Sequence, residues 1–378
     1  VESWPAVSAS GEAAARASAV GVSVGGRPDG RAAGGGVVVA IVNWNGRTHL
    51  ETCLPAVSAQ TYDDFEIVVV DNASSDGSVE WLRREWPEVR VIQAGDNVGF
   101  AAANNLAIAA TTAPWVALLN NDTVPEGGWL AELVAAAEAD SQIGSVASLM
   151  VFWDRPAVVN SAGVAVDPVG IAWDRLGGAA VQEAGEAGSV FGASAGAALY
   201  RRQALEDVAL PASAGAAGDG RGEFFDGRYF MYLEDVDLAW RLRLRSWDCV
   251  YAPGARVLHR GSATAVEGSA FKNRLLARNK IWTVAKNYPT APLLAFLPLI
   301  ALYDLASAPY RLVVQGQTSA LLGRLDALRD MDHVLRARRF VQSRRTARWA
   351  DISAAMEPLE PPWAVLGRYR HLQGRGGT

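Results

Sequence analysis

Three sets of amide and carboxylate side chains stand at the ends of apolar runs. Asn43-Trp44-Asn45-Gly46 follows the run 37–42, Asp71-Asn72 follows 65–70, and Asn120-Asn121-Asp122-Thr123 follows 115–119. A carboxylate such as Asp71 can accept hydrogen bonds from a nucleotide base or a ribose. Asp122 stands where a metal-bridged diphosphate could lie, because Mg2+ and Mn2+ prefer oxygen ligands and often take only one or two carboxylates, with phosphate oxygens and water completing the shell. Either aspartate alone would serve equally well as a helix cap or turn former. Their recurrence at successive strand ends favours a site.

The elements that must position them can be read from the pattern. Residues 37–42 are continuous and mostly β-branched, as expected of a strand buried on both faces of a parallel sheet. His49, Leu50, Cys53, Leu54 and Val57 then share one helical face. A second strand over 65–70 ends in a loop, 71–78, rich in turn and N-cap residues. A helix over 79–85, a strand at 89–92, a helix over 101–110 and a strand over 115–119 follow. A further helix is predicted over 125–139, with Pro125 in its first turn. This alternation predicts an α/β fold with an open, mostly parallel sheet, whose ligands bind at the carboxyl ends of the strands. Residues 150–200 read as short strands and glycine-rich turns, 212–222 as a small-residue loop, 228–246 as a loop entering a helix, and 270–350 as largely helical. The first 36 residues, rich in Ala, Gly, Ser and Val, read as a disordered tail.

Composition removes several classes of function. The chain has 378 residues, half of them hydrophobic, and a net charge of −5, which argues against a nucleic-acid binder. Two cysteines, Cys53 and Cys249, make no disulfide framework or zinc motif and fit a reducing compartment. The first residues do not read as a signal peptide, and no clean apolar run is long enough to span a bilayer. The turn after the first strand is Asn-Trp-Asn-Gly rather than GxGxxG, and no GxxxxGK[ST] exists. Dinucleotide and P-loop chemistry are therefore not expected.

The segments 39–46, 69–78, Asn97-Val98-Gly99-Phe100-Ala101, Leu118-Leu119-Asn120-Asn121-Asp122-Thr123, Tyr232-Leu233-Glu234-Asp235-Val236-Asp237-Leu238 and His259-Arg260-Gly261-Ser262 occur in a specific order. In that order the sequence resembles a family 2 glycosyltransferase of the GT-A fold, in the branch that includes bacterial rhamnosyltransferases. The resemblance covers about residues 37–290 and implies an inverting transfer from a nucleotide-sugar donor, dTDP- or UDP-linked, with Mg2+ or Mn2+. The donor best matching the branch is dTDP-rhamnose, with a UDP-hexose or UDP-galactofuranose as the alternative. A catalytically inactive nucleotide-sugar-binding protein is the reading from another class.

The resemblance also implies roles. Asn43, Asn45, Asp71, Asn72, Asn97, Gly99 and Asn121 would line the donor pocket. Asn120-Asn121-Asp122 occupies the place of the DxD metal motif, with asparagine at its first position, so Asp122 is the implied metal ligand. His259 is implied as a second ligand or a diphosphate contact. Glu234-Asp235 matches the base motif, with Asp235 as general base; a carboxylate in reach can take the acceptor hydroxyl's proton. With Asp237, these adjacent acids would raise one another's pKa, or would simply form an acidic first helical turn favoured by the helix dipole. Arg278-Asn279 would meet the diphosphate or the acceptor, or lie on a helix surface.

Residues 37–285 thus read as the catalytic domain and 286–378 as a helical region. In the latter, residues 287–303 are uncharged and apolar-rich but broken by Pro289, Pro292 and Pro298. Arg336, Arg338, Arg339, Arg344, Arg345 and Arg348 lie downstream. This combination suggests peripheral attachment at the inner, cytoplasmic face of a membrane, where the acceptor would be a saccharide or a polyprenyl-linked saccharide of cell-wall or surface-polysaccharide synthesis. The alternative is a helical subdomain packed on the core.

Overall fold

The computed structural model describes residues 22–23, 36–211, 222–261, 269–309 and 318–361, with backbone only for 22–23 and 305–309. Most of the 1–36 tail, the 212–222 loop except Gly222, Ser262 and the last 17 residues lie outside the described residues.

The first half alternates as expected. β1 (Val37–Asn43), β2 (Phe65–Asp71), β3 (Arg90–Gln93) and β4 (Trp115–Asn120) are separated by α1 (Arg47–Ser58), α2 (Ser78–Glu85) and α3 (Gly99–Ala109). β1 pairs in parallel with both β2 and β4, and β2 with β3. Successive side chains of a strand point to opposite faces. Val38, Ala40, Val68, Val70, Val116 and Leu118 therefore pack under α3 on one face. Val37, Val39, Ile41, Val69, Ala117 and Leu119 pack on the other, against α1 and α4 (Trp129–Glu138). Each such buried Val, Leu or Ile contributes about 1.5–3 kcal/mol.

One prediction fails at Pro125. It ends a short strand, β5 (Thr123–Pro125), and α4 starts only at Trp129, after Gly128. The proline cannot donate to a ladder, and its place at the end of a three-residue strand makes no such demand.

The second half turns the sheet mixed. β6 (Ile143–Phe152) is followed by β7 (Val159–Ser161), the hairpin β8 (Val164–Val166) and β9 (Ala172–Asp174), β10 (Gly188–Ser189) and β11 (Ala197–Arg201). β11 inserts antiparallel between β4 and β6. After α5 (Arg202–Val208) and α6 (Glu234–Leu244), β12 (Asp248–His259) pairs in parallel with β6 and antiparallel with β5. The sheet order is β3-β2-β1-β4-β11-β6-β12-β10, with Val22–Ser23 antiparallel beyond β3.

The C-terminal helices are α7 (Ala270–Asn287), α8 (Thr290–Pro309), α9 (Ser319–Arg329), α10 (Met331–Ser343) and α11 (Trp349–Ala354). α8 runs through Pro292 and Pro298, which were expected to break it. Pro292 lies in the first turn, where no helical N–H is needed. A shared core joins these helices to the catalytic half, with the ring of Trp240 of α6 packed at a tilt against Tyr288 and Tyr288 against Trp349. Among the described residues, no helix is long and apolar enough to cross a membrane.

Candidate active site

The ends of β1, β2 and β4 lie side by side because the three strands are parallel and in register, Asn43 opposite Asp71 and Val42 opposite Asn120. Their polar side chains are wired together. Asn43 Nδ2 donates to Asp71 Oδ1 (3.3 Å), and Asn121 Nδ2 donates to Asn43 Oδ1 (2.8 Å). Asp71 Oδ2 accepts from the Ser74 amide (3.0 Å), and Asn45 Oδ1 from the Ser75 amide (2.8 Å). Asn72 donates to Asn97 Oδ1 (2.9 Å) and accepts from the Val98 amide (2.9 Å). Asn97 Oδ1 also accepts from the Gly99 amide (3.1 Å). The seven residues expected around a donor thus form one rim. Gly99 has φ +83°, and a Cβ there would lie 2.5 Å from the Phe230 ring. That position has room for glycine only.

Asp122 follows directly on this rim and is buried. His259 Nε2 lies 3.3 Å from Asp122 Oδ1, and its Nδ1 is 2.8 Å from Asn160 Oδ1. One ring nitrogen thus faces the Asn160 amide oxygen and the other the Asp122 carboxylate. Burial pushes the Asp122 carboxyl up, but the hydrogen bond and charge of His259, aided by His49, outweigh it and hold the carboxyl below its ordinary value. Among the described residues, no group of three or more His, Cys, Asp and Glu side chains gathers to hold a metal. One carboxylate and one oriented imidazole fit a divalent ion only as a partial shell, which leaves positions for phosphate oxygens and water.

Glu234 and Asp235 open α6. Glu234 is buried with its Oε2 unpartnered, and burial followed by the neighbouring Asp235 charge pushes its carboxyl well up. Asp235 is partly exposed. Its Oδ2 accepts from the Ala195 amide (3.2 Å) and its Oδ1 from the Val236 amide (2.8 Å). Desolvation, opposed by the Ala195 amide and reinforced by Asp174 of β9, brings its carboxyl up to about 6. Two adjacent carboxyls, both raised by burial, are an arrangement suited to acid–base work.

Two expected contributors behave differently. Asp237 is fully buried and neutralised by Arg241 Nε (3.0 Å) and Lys286 Nζ (2.9 Å). It forms a buried ion pair on α6, and its charge is the last of the causes that raise Glu234. Arg278, expected at the diphosphate or the acceptor or else on a helix surface, is buried; its Nη2 donates to the carbonyls of Arg228 (3.0 Å) and Tyr229 (2.9 Å), and its guanidinium lies over Trp282. Asn160, Ala195 and Asp174 were not singled out in the sequence. They come from the irregular stretch 150–200, where no periodicity announces which side chain turns inward.

Residues 38–209 match the family model described as "Glycosyl transferase family 2". The chain is 29% identical over 238 residues to N-acetylglucosaminyl-diphospho-decaprenol L-rhamnosyltransferase of Mycobacterium tuberculosis, covering 58% of this chain and 75% of that protein. It is 23% identical over 220 residues to the poly-beta-1,6-N-acetyl-D-glucosamine synthase of Staphylococcus aureus, covering 58% of this chain but only 48% of that one. Among solved structures, GalNAc-T7 with UDP, GalNAc and Mn2+ superposes with a TM-score of 0.50 at 17% identity, over 66% of this chain and 47% of that chain. That likeness concerns the GT-A fold.

Proposed function

The chain is a glycosyltransferase carrying a family 2 domain, and we propose that it moves rhamnose from dTDP-rhamnose, with inversion, to a polyprenyl-linked saccharide in cell-wall or surface-polysaccharide synthesis. The likeness to the mycobacterial rhamnosyltransferase supports rhamnose as the sugar moved and a polyprenyl-linked acceptor. The observation that carries the catalytic part is the pairing of a rim of amides and Asp71 with two separate acidic centres, Asp122 beside His259 and Asp235 on α6.

In this reading Asp71, with Asn43, Asn45 and Asn72, receives the base and ribose, while Asn97, Gly99 and Asn121 border the diphosphate and sugar. Asp122 and His259 would hold Mg2+ or Mn2+. When bound, the ion supplies charge neutralisation for the departing nucleoside diphosphate. Asp235 accepts the proton of the acceptor hydroxyl as its oxygen attacks the anomeric carbon from the opposite side. Burial and then the neighbouring Asp235 charge push the Glu234 carboxyl well up. The fold supplies orientation, and no covalent intermediate is needed.

A UDP-sugar donor is the second reading; the likeness to the N-acetylglucosamine polymer synthase supports a transferred sugar other than rhamnose. A panel of dTDP- and UDP-sugars, scored first by thermal shift with Mg2+ or Mn2+ and then by transfer to a polyprenyl-diphosphate saccharide, decides between them. Product from dTDP-rhamnose alone supports the first reading. Product from a UDP-sugar alone replaces it, and binding with no transfer to any acceptor leaves a nucleotide-sugar-binding protein.

The helical region 286–378 is proposed to rest on the inner face of the membrane. α9 turns Ala320, Gly323 and Ala327 inward and Leu321, Leu325 and Leu328 outward, and Leu294 and Leu297 of α8 are also exposed. Exposed leucines on α8 and α9, together with the outward Arg336 and Arg339 of α10, suit a shallow, anionic lipid contact. The arginine cluster contributes less than its length suggests. Arg338 is bound to the carbonyls of Ala285 and Tyr288, Arg344 to Asp207 and Arg348 to Asp351.

A further inference from the structure

Three residues just before the acidic pair have backbones that L side chains rarely adopt. Phe230, Tyr232 and Leu233 have φ of +66°, +70° and +65°. None is glycine, and none is an Asn or Asp that tolerates this region. A run of this kind persists only where its surroundings over-determine it. Leu233 is the N-cap of α6, so this backbone sets the direction in which Glu234 and Asp235 leave the loop.

One buried amide holds the run. Asn279 of α7 is fully buried, and its Nδ2 donates to the carbonyls of Tyr229 (3.1 Å), Met231 (3.0 Å) and Tyr232 (2.7 Å). Its own Oδ1 accepts from Arg278 Nε (2.9 Å), which fixes the amide's orientation, while Arg278 Nη2 binds the carbonyls of Arg228 and Tyr229. On the other side of the loop, the Phe230 carbonyl accepts from the Ala101 amide (3.1 Å), and the Phe230 ring closes over Gly99. The strained loop is thus strapped between the donor rim and α7.

We propose that Asn279, oriented by Arg278, is a positioning residue that holds the 230–233 backbone with its positive φ at Phe230, Tyr232 and Leu233 and so sets Asp235 against the donor site. This inference rests on the reading of Asp235 as the base. Without the amide, three carbonyls lose a shared donor, that backbone relaxes, and the Asp235 carboxylate drifts from the Ala195 amide. A displacement of about 1 Å at a reacting group can cost about 100-fold in rate.

The test compares Asn279→Ala, Asn279→Asp and Asp235→Asn in the full chain. The aspartate keeps the side chain's size but removes the NH2 donor, so it serves if the alanine variant does not fold. For each variant, steady-state kinetics give the split between kcat and donor KM, and amide hydrogen exchange reports on 229–236. The inference expects kcat lower by about 10- to 100-fold with donor KM within about threefold. It also expects the acid limb of the pH profile to move, and exchange to speed up at 229–236 but not in β1, β2 or β4. Wild-type protection of 229–236 in both Asn279 variants overturns the clamp, whatever Asp235 does. Turnover within threefold of wild type in those variants, where Asp235→Asn has lost it, overturns the positioning role. Full turnover in Asp235→Asn together with loosened exchange at 229–236 defeats the base assignment while leaving the clamp standing.

Discussion

Thr123 of β5 and His259 of β12 are cross-strand partners, and this one register brings the His259 imidazole to the carboxylate that precedes Thr123. A slip of one residue would turn His259 to the other face of the sheet. The Arg260 amide, which donates to the Asp122 carbonyl (3.0 Å), fixes the register further.

Asp122→Ala should therefore weaken donor binding by at least about 10-fold when Mn2+ or Mg2+ is present, and by much less in its absence. Asn160→Ala, which frees the imidazole without removing a ligand, should cost about 10-fold in metal affinity. Titration calorimetry with and without metal checks both. Donor affinity that ignores Asp122 would sink the metal assignment.

Asp235→Asn should leave donor binding nearly intact and lower turnover by about two orders of magnitude or more. Because the Asp235 carboxyl is raised to about 6, kcat/KM of the wild type should climb with pH through that region and level off above it. A rate that is flat between pH 5 and 7 (about one unit either side of the carboxyl) would point to another base, Glu234 first.

The same group carries a stability signature. Its folded-state value lies above the ordinary 3.8, so its favourable contribution is complete below 3.8 and is lost as pH rises through about 6. Above that, the wild type holds an ionised carboxylate in a poorly solvated place and the amide variant does not. Asp235→Asn should melt higher than wild type at pH 8, and the gap should close near pH 4. Equal melting temperatures at pH 8 would mean that the carboxylate is not desolvated.

Gly99→Ala should reduce both stability and donor affinity. The positive φ is unfavourable for alanine, and the added methyl meets both the Phe230 ring and its carbonyl oxygen, at 2.5 and 2.6 Å. Thermal melting and donor titration read the two effects. A variant with wild-type values in both would show that the 99–101 turn and the 230 loop are not in firm contact.

The protein should float with vesicles containing anionic lipid at low salt and be released at high salt, since exposed charges are screened over about 8–10 Å at ordinary ionic strength. Replacing Leu321, Leu325 and Leu328 with serine should lower the bound fraction without lowering the melting temperature, because these side chains are 43–64% exposed. If the intact protein stays with the soluble fraction at low salt, the membrane reading is wrong.

The sequence alone determined the parallel half of the sheet and its polar rim. Runs such as 37–42 and 115–119 can be buried only as strands, and the residue that follows each run must emerge at the carboxyl edge, which is why Asn43, Asp71 and Asp122 were legible. The roles proposed for Asp235 and His259 rest on resemblance, since an acidic first turn and a strand-end histidine have ordinary explanations. Tertiary structure decided the rest. That Asp237 is a buried ion-pair partner depends on Lys286, which reaches it from another helix. That Asn160 contacts His259, and that Arg278 and Asn279 bind carbonyls of the 228–232 loop, depends on contacts between segments far apart in the chain. Local patterns report which face of an element is apolar. They carry no information about which distant carbonyl a buried amide will find, because that is fixed only when the elements pack.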